Sequence, residues 1–268
     1  MSFNIVVCVK QVVDPDTPSA AFKIDQTNLS VKPAEGIPPV VNGYCENAVE
    51  AALRIKDSMP DVNVTVISIG TNFILDVIKK PLSMGADQII LVEDPNLENL
   101  DPFSTSKILS ATINNMPSYD LIICGQHASD WDNAHVPMGI AENLGIPCLN
   151  SAREIETEQE QNDITIKSSI PDGYISLKSR LPALITVSNE IGEPRYPTLK
   201  GIMQASRKKP EKLTLSDINI TESEISPKMS LINLDLPVSN SQCEILEGED
   251  DTDSGRLLAL KLREDKII

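Results

Sequence analysis

Both histidines of the chain, His127 and His135, stand eight residues apart with Asp130 and Asp132 between them. Four possible metal ligands in nine residues raise the question of a cation site. The spacing is wrong for a helical ligand pair, and no cysteine joins the cluster, although structural zinc sites usually recruit thiolates. No metal is expected. The plainer reading is two loop histidines that hydrogen-bond locally.

The same stretch makes a better nucleotide loop. An apolar run from Leu121 to Cys124 ends at Gly125, which allows a sharp turn, and Ala128 and Ser129 keep the loop open. The amphipathic segment Met138 to Leu144 follows, with Gly145 at its end and Pro147 just beyond. That is a buried strand, a polar loop and a helix. Amides at a helix start attract phosphate, each charge interaction being worth roughly 0.3–1 kcal/mol. Asp130 and Asp132 would then accept bonds from ribose hydroxyls or cap the helix. Trp131, the only tryptophan, could stack on a ring or simply cover the loop.

Catalytic patterns are missing. The sequence has no GxGxxG, no GxxxxGK[ST] and no GxSxG. Cys124 lies three residues before His127, but it ends an apolar strand and reads as an inert thiol. No catalytic side chain is expected, so any redox chemistry would belong to a cofactor.

These residues need a scaffold. Of 268 residues, 41% are hydrophobic but only 3% aromatic, so the core must be aliphatic. Such a composition suits parallel strands buried on both faces. A net charge of −16 argues against a nucleic-acid surface and against anionic membranes. The five scattered cysteines, with no CxxC, fit reduced thiols in a cytoplasmic protein. No apolar run is long enough for a membrane span or a signal peptide.

The periodicity predicts a strand over Ile5–Val9, a small hairpin over residues 22–31 and a helix beginning at Asn42. A second strand follows over Val62–Ile69. Pro81 should then kink or end a helical pattern that starts at Ile74 and closes at Gly85. A strand over Ile89–Val92 follows, and Asp101 with Pro102 reads as a helix start. After Asn150 the pattern changes to a hairpin around Pro171-Asp172-Gly173, a buried strand over Ala183–Val187 and a short helix over Leu199–Ala205. The expected fold class is α/β: a Rossmann-like, doubly wound, mostly parallel sheet with a small hairpin insertion and an extended C-terminal arm. Residues 1–212 would be the nucleotide-binding domain. Residues 213–268 would be an arm with little core of its own, ending in a helix over Gly255–Arg263.

Several stretches together resemble the β subunit of electron transfer flavoproteins. VCVKQVVD (Val7–Asp14) looks like that family's opening, and VNGYCENAVEAALRIKD (Val41–Asp57) like its first helix. MGAD (Met84–Asp87) and the CGxxxxDxDxA spacing of Cys124–Ala134 recur in it. LPALITVSNEIGEPRYPTLKGIMQASRKKP (Leu181–Pro210) carries the family's EPRYP segment.

The resemblance implies an α-subunit partner that carries most of an FAD site, with this chain covering one side. It also implies AMP in a pocket of the β subunit itself, or a second FAD there in electron-bifurcating members that oxidise NADH. That pocket would be formed by Cys8, Asn42, Gly43, Tyr44, Cys45 and Ile69. The loop would complete it with Gly125, Gln126, His127, Ala128, Ser129, Asp130, Trp131, Asp132, Asn133, Ala134, His135 and Val136. Glu193, Pro194, Arg195, Tyr196, Leu199, Ile202 and Met203 would dock onto an acyl-CoA dehydrogenase or a related reductase, with Leu199 as the anchor.

This chain departs from the family in the pocket. Gly43 stands where a proline is common, and Trp131 where the residue is usually small or acidic. Pro137 replaces a glycine; it fits best at the first helical position, which would start that helix late. Three functions follow: an electron carrier, a bifurcating subunit, or a stand-alone adenine-nucleotide-binding or hydrolysing domain. EPRYP speaks against the last.

Overall fold

In the computed structural model, residues 2–97, 100–157, 162–237 and 243–268 are described. The chain forms two compact units, Met1–Leu234 and Asp235–Ile268. The first begins with β1 (Phe3–Cys8), the short β2 (Gln11–Val12), the hairpin β3 (Lys23–Asp25) and β4 (Ser30–Lys32), and β5 (Val40–Val41). Then come α1 (Gly43–Ser58), β6 (Val62–Gly70), α2 (Leu75–Ile78), α3 (Lys80–Met84), β7 (Gln88–Glu93) and α4 (Pro102–Asn114). They are followed by β8 (Leu121–Gly125), α5 (His135–Leu144), β9 (Cys148–Thr157), β10 (Asp163–Ile170) and β11 (Gly173–Arg180). β12 (Ala183–Val187), α6 (Leu199–Arg207) and β13 (Glu211–Leu213) end the regular structure of this unit, apart from one short 3-10 turn at Glu222–Ile225.

Nine strands form one sheet in the order β11-β10-β9-β12-β8-β1-β6-β7-β13. From β9 to β13 every neighbouring pair is parallel, whereas β9, β10 and β11 run antiparallel. Aliphatic runs make this possible because both faces are covered. On β1, Ile5 and Val7 join the apolar layer under α1. Val6 and Cys8 join the opposite layer with Leu109, Ile113 and Ile140 of α4 and α5. The expected doubly wound α/β sheet is therefore present.

Local signals act as expected in several places. Pro81 divides the helical pattern: α2 stops at Ile78 and α3 takes the proline in its first turn. Asp101 caps α4 by accepting from the Ser104 amide at 2.8 Å. Two expectations fail. Helix α5 starts at His135, so Pro137 is its third residue rather than its first. The first four amides of a helix have no intrahelical acceptor, so a proline there removes no bond. Strand β9 was not foreseen; its buried residues are few, its register with β10 shifts at Arg153, and its register with β12 shifts across Ser151, which takes φ +55.

Residues beyond Lys212 also build core in the first unit. Leu215, Ile218 and Ile225 are buried with Val92, Leu97 and Ile108. Asp101 contributes again here, since its Oδ2 accepts from the amides of Lys228 and Met229 at 2.6 and 2.9 Å. The second unit is built around α7 (Asp251–Glu264), capped by Asp250. Its first turn holds Asp251 and Asp253, which suits the positive end of the helix. No helix among the described residues is long and apolar enough to cross a membrane.

Candidate functional site

The carboxyl ends of β6, β1 and β8 lie side by side. Cys8 is in register with Ile67 on one side and Cys124 on the other. Ile69 is two residues further along β6, and Gly125 ends β8. The floor of the site is thus the strand edge where an open α/β sheet binds ligands.

Helix α1 begins on this edge. Asn42 is fully buried and occupies its N-cap position. Asparagine usually caps its own helix, but here the side chain makes no cap bond. Its Nδ2 donates to the His127 carbonyl at 2.9 Å, and its Oδ1 accepts from the Ser129 amide at 3.1 Å. Asn42 therefore pins the loop to α1. Tyr44 packs edge-on against His127, with ring centroids 4.3 Å apart. Gly125 lets the two pieces meet, for a Cβ there would lie 2.7 Å from the Tyr44 carbonyl carbon.

The loop then closes on itself. The Gln126 amide donates to Val187 of β12 at 2.8 Å, and the Trp131 and Asp132 amides turn back to the Ala128 carbonyl. Asp132 and Ala134 sit in the left-handed region at φ +51 and +54. For alanine that costs about 1–2 kcal/mol, so the loop stores strain just before α5. Ala134 is the N-cap of α5 and offers no side-chain bond, leaving the first amides, His135 and Val136, uncapped. Gly139 fixes where α5 points: a Cβ there would lie 2.6 Å from Ser106 Oγ of α4. Two uncapped helix starts, those of α1 and α5, thus border one pinned loop.

Charge in the loop is partly compensated. Lys10 Nζ lies 2.7 Å from Asp130 Oδ2, and His127 Nε2 lies 3.3 Å from Asp132 Oδ1. Lys10 is a site residue that sequence reasoning passed over; its place directly after β1 was the available signal. Trp131 is half exposed. Asn133 completes the exposed stretch. Cys45 is buried, and desolvation pushes its thiol up to about 11. Cys124 is also pushed well up, by its hydrogen bond with Cys8 and by burial. Neither is a nucleophile at neutral pH. Among the described residues, no group of three His, Cys, Asp or Glu side chains could hold a metal ion.

The second predicted set divides. Tyr196, Leu199, Ile202 and Met203 are all at least half exposed, Leu199 at 83%. Helix α6 is held against α3 by its other side, where a Gly201 Cβ would lie 2.3 Å from the Ser83 carbonyl. Arg195 instead turns inward to Glu50 of α1, at 2.7 Å. The Glu193 carbonyl accepts from Arg54, and Pro194 links the two. Glu50, buried within α1, was not foreseen, because a glutamate amid Ala48, Val49 and Ala52 reads as a helix edge.

A doubly wound α/β protein with a polar cradle at its central strand ends is the class defined by this geometry. Comparison with known proteins narrows it. The family profile described as "Electron transfer flavoprotein domain" matches residues 34–218. The electron transfer flavoprotein subunit beta of Megasphaera elsdenii is 35% identical over 259 residues, 93% of each chain. That of Thermoanaerobacterium thermosaccharolyticum is 36% identical over 228 residues, covering 85% of this chain and 84% of the relative. Subunit CarD of the caffeyl-CoA reductase–Etf complex of Acetobacterium woodii is 36% identical over 203 residues, 75% and 74% of the two chains. The chain belongs to the β-subunit family of electron transfer flavoproteins.

Proposed function

We propose that the chain is the β half of a heterodimeric electron carrier and that its cradle holds an adenine nucleotide. The observation that carries this reading is Asn42, which bonds the loop instead of capping α1, so that the start of α1 and the Ala134-led start of α5 both stand uncapped at the loop. Amides of Gly43 and Tyr44, and of His135 and Val136, would take phosphate oxygens. Ser129 and Asp132 would meet ribose, and Cys8 and Ile69 would line the adenine side. A flavin held mainly by the α subunit would supply reversible electron storage. This chain's own residues would bind and orient a nucleotide and cover one side of that flavin.

Exposed Tyr196, Leu199, Ile202 and Met203 support docking by an acyl-CoA dehydrogenase or a related reductase. Of residues 213–268, the part beyond Leu234 would form the arm that packs on the α subunit; exposed Ile245, Leu258 and Leu260 fit that role. Free thiols throughout fit a reducing, cytoplasmic setting.

A second reading rests on the relative named for a reductase–Etf complex. Here the cradle holds a second FAD, and NADH is oxidised there. Mass spectrometry of nucleotides released from the purified αβ complex, with stoichiometry, separates the two. One flavin plus AMP supports the carrier, and two flavins support bifurcation. A stable monomer that binds ATP and ignores an α subunit would overturn both.

A further inference from the structure

Between β12 and α6 the chain crosses residues 188–198 with only one short 3-10 turn, Asn189–Ile191. Such a connection has no ladder to orient it, so side chains must do so. One stripe of α1 supplies them. Asn47, Glu50, Arg54 and Asp57 recur at three- and four-residue spacing and therefore share a face. Asn47 Nδ2 donates to the Gly192 carbonyl at 2.9 Å. Arg54 donates to the carbonyls of Ile191 at 2.5 Å and Glu193 at 3.3 Å.

Glu50 ties these bonds together. Its Oε2 accepts from the Arg195 amide at 3.1 Å and from Arg195 Nε at 2.7 Å. Its Oε1 accepts from Arg195 Nη2 at 3.2 Å and from Arg54 Nε at 2.9 Å. Arg195 Nη2 also reaches Asp57 at 2.8 Å. The Glu50 side chain is only 6% exposed, and the four bonds to its carboxylate come from two guanidinium groups and one amide. Burial opposes its charge, but the hydrogen bonds from Arg195 and Arg54 outweigh burial and hold it below the usual carboxylate range. Immediately after Arg195 comes Tyr196, at 92% exposure the most exposed large apolar side chain among the described residues. The chain thus turns from fully held to fully presented within one residue.

We propose that Glu50 is the positioning residue for the docking segment: by holding Arg195 inward it sets how Tyr196, Leu199 and Met203 are offered to the redox partner. This rests on the docking role proposed above. It also gives Arg195 an internal task in place of a partner contact. A misaimed segment costs association rather than chemistry, because the flavin and its surroundings are untouched.

The test uses the purified αβ complex with Glu50→Gln, which keeps the shape but places an amide donor against the guanidinium groups. Hydrogen–deuterium exchange should rise in residues 191–203 and stay unchanged in β1, β6 and β8. Electron exchange with a purified acyl-CoA dehydrogenase should show KM raised roughly ten- to a hundredfold, with kcat and flavin content retained. Arg195→Lys keeps the charge but loses the planar fork, so it should move both readouts in the same direction by less. It also serves if the first variant folds poorly. Unchanged exchange in 191–203, or a rise spread equally through the sheet, would overturn the proposal. Leu199→Ala tests the docking reading separately. If that variant transfers normally while Glu50→Gln still loosens 191–203, docking fails and Glu50 remains the orienting group.

Discussion

Replacing Asn42 by alanine removes the two bonds that hold the loop to α1, from Nδ2 to His127 and from Ser129 to Oδ1. An orphaned buried partner costs about 1–3 kcal/mol, and water can reach the half-buried loop, so each loss belongs at the lower end. The sum is about 2 kcal/mol. For a chain of this size that lowers the melting temperature by about 4–8 °C. The nucleotide should be lost with it, since the loop no longer holds its shape against the strand ends. Asn42→Asp separates geometry from charge. It keeps an acceptor for Ser129 but sets a carboxylate oxygen against the His127 carbonyl and beside the bound phosphate. The attraction of the α1 N-terminus for that charge partly restores stability, while nucleotide retention falls below that of the alanine variant. Thermal unfolding of the αβ complex and chromatography of acid-released nucleotide measure the two quantities. Wild-type nucleotide content in both variants, with unchanged melting temperatures, would refute the cradle.

Gly125→Ala should cost about 1–3 kcal/mol by overpacking, because the new Cβ meets the Tyr44 backbone; urea midpoints and nucleotide retention should fall together. Asp101 should impose an acid limit on stability. Burial pushes its carboxyl up, but the amide bonds from Ser104, Lys228 and Met229 prevail and hold it below the usual range. A depressed folded value means the stabilisation is complete above the unfolded value of about 3.9. It is lost as pH falls through the lower folded one. Urea unfolding against pH should show that component in the wild type and lose it in Asp101→Asn. Leu199→Ala should slow electron exchange with an acyl-CoA dehydrogenase while flavin content stays constant, a result read by stopped-flow reduction of the complex.

Much of the fold was legible because aliphatic runs and helix punctuation are local signals. Ile5–Val9, Pro81, Asp101-Pro102 and the Pro171-Asp172-Gly173 turn each marked an element that the structure contains. Strand β9 escaped because its alternation is broken at Ser151 and only Leu149 and Ala152 are buried in it. The start of α5 escaped because Pro137 was weighed by its missing amide alone, although the whole first turn lacks acceptors. At the site, the loop stood out by its rare residues, and the family resemblance added the strand ends. What no local pattern could reveal was pairing across the chain. Lys10 with Asp130 spans 120 positions, and Glu50 with Arg195 spans 145. Such partners are chosen by the fold, so their chemistry becomes readable only once it is known.

The place of β12 has a consequence for how the protein is made. It lies between β8 and β9, yet it is synthesised after both and after the β10–β11 hairpin. While the ribosome is still short of Ala183, β8 ends the parallel block with an open row of amides and carbonyls. An open edge of aliphatic strand invites pairing with another chain. The Gln126 amide also lacks its Val187 acceptor until then, so the cradle cannot set early. Filling the gap between β8 and β9 and assembly of the loop are therefore one late event. A nascent chain halted before β12 should be the species most in need of a chaperone.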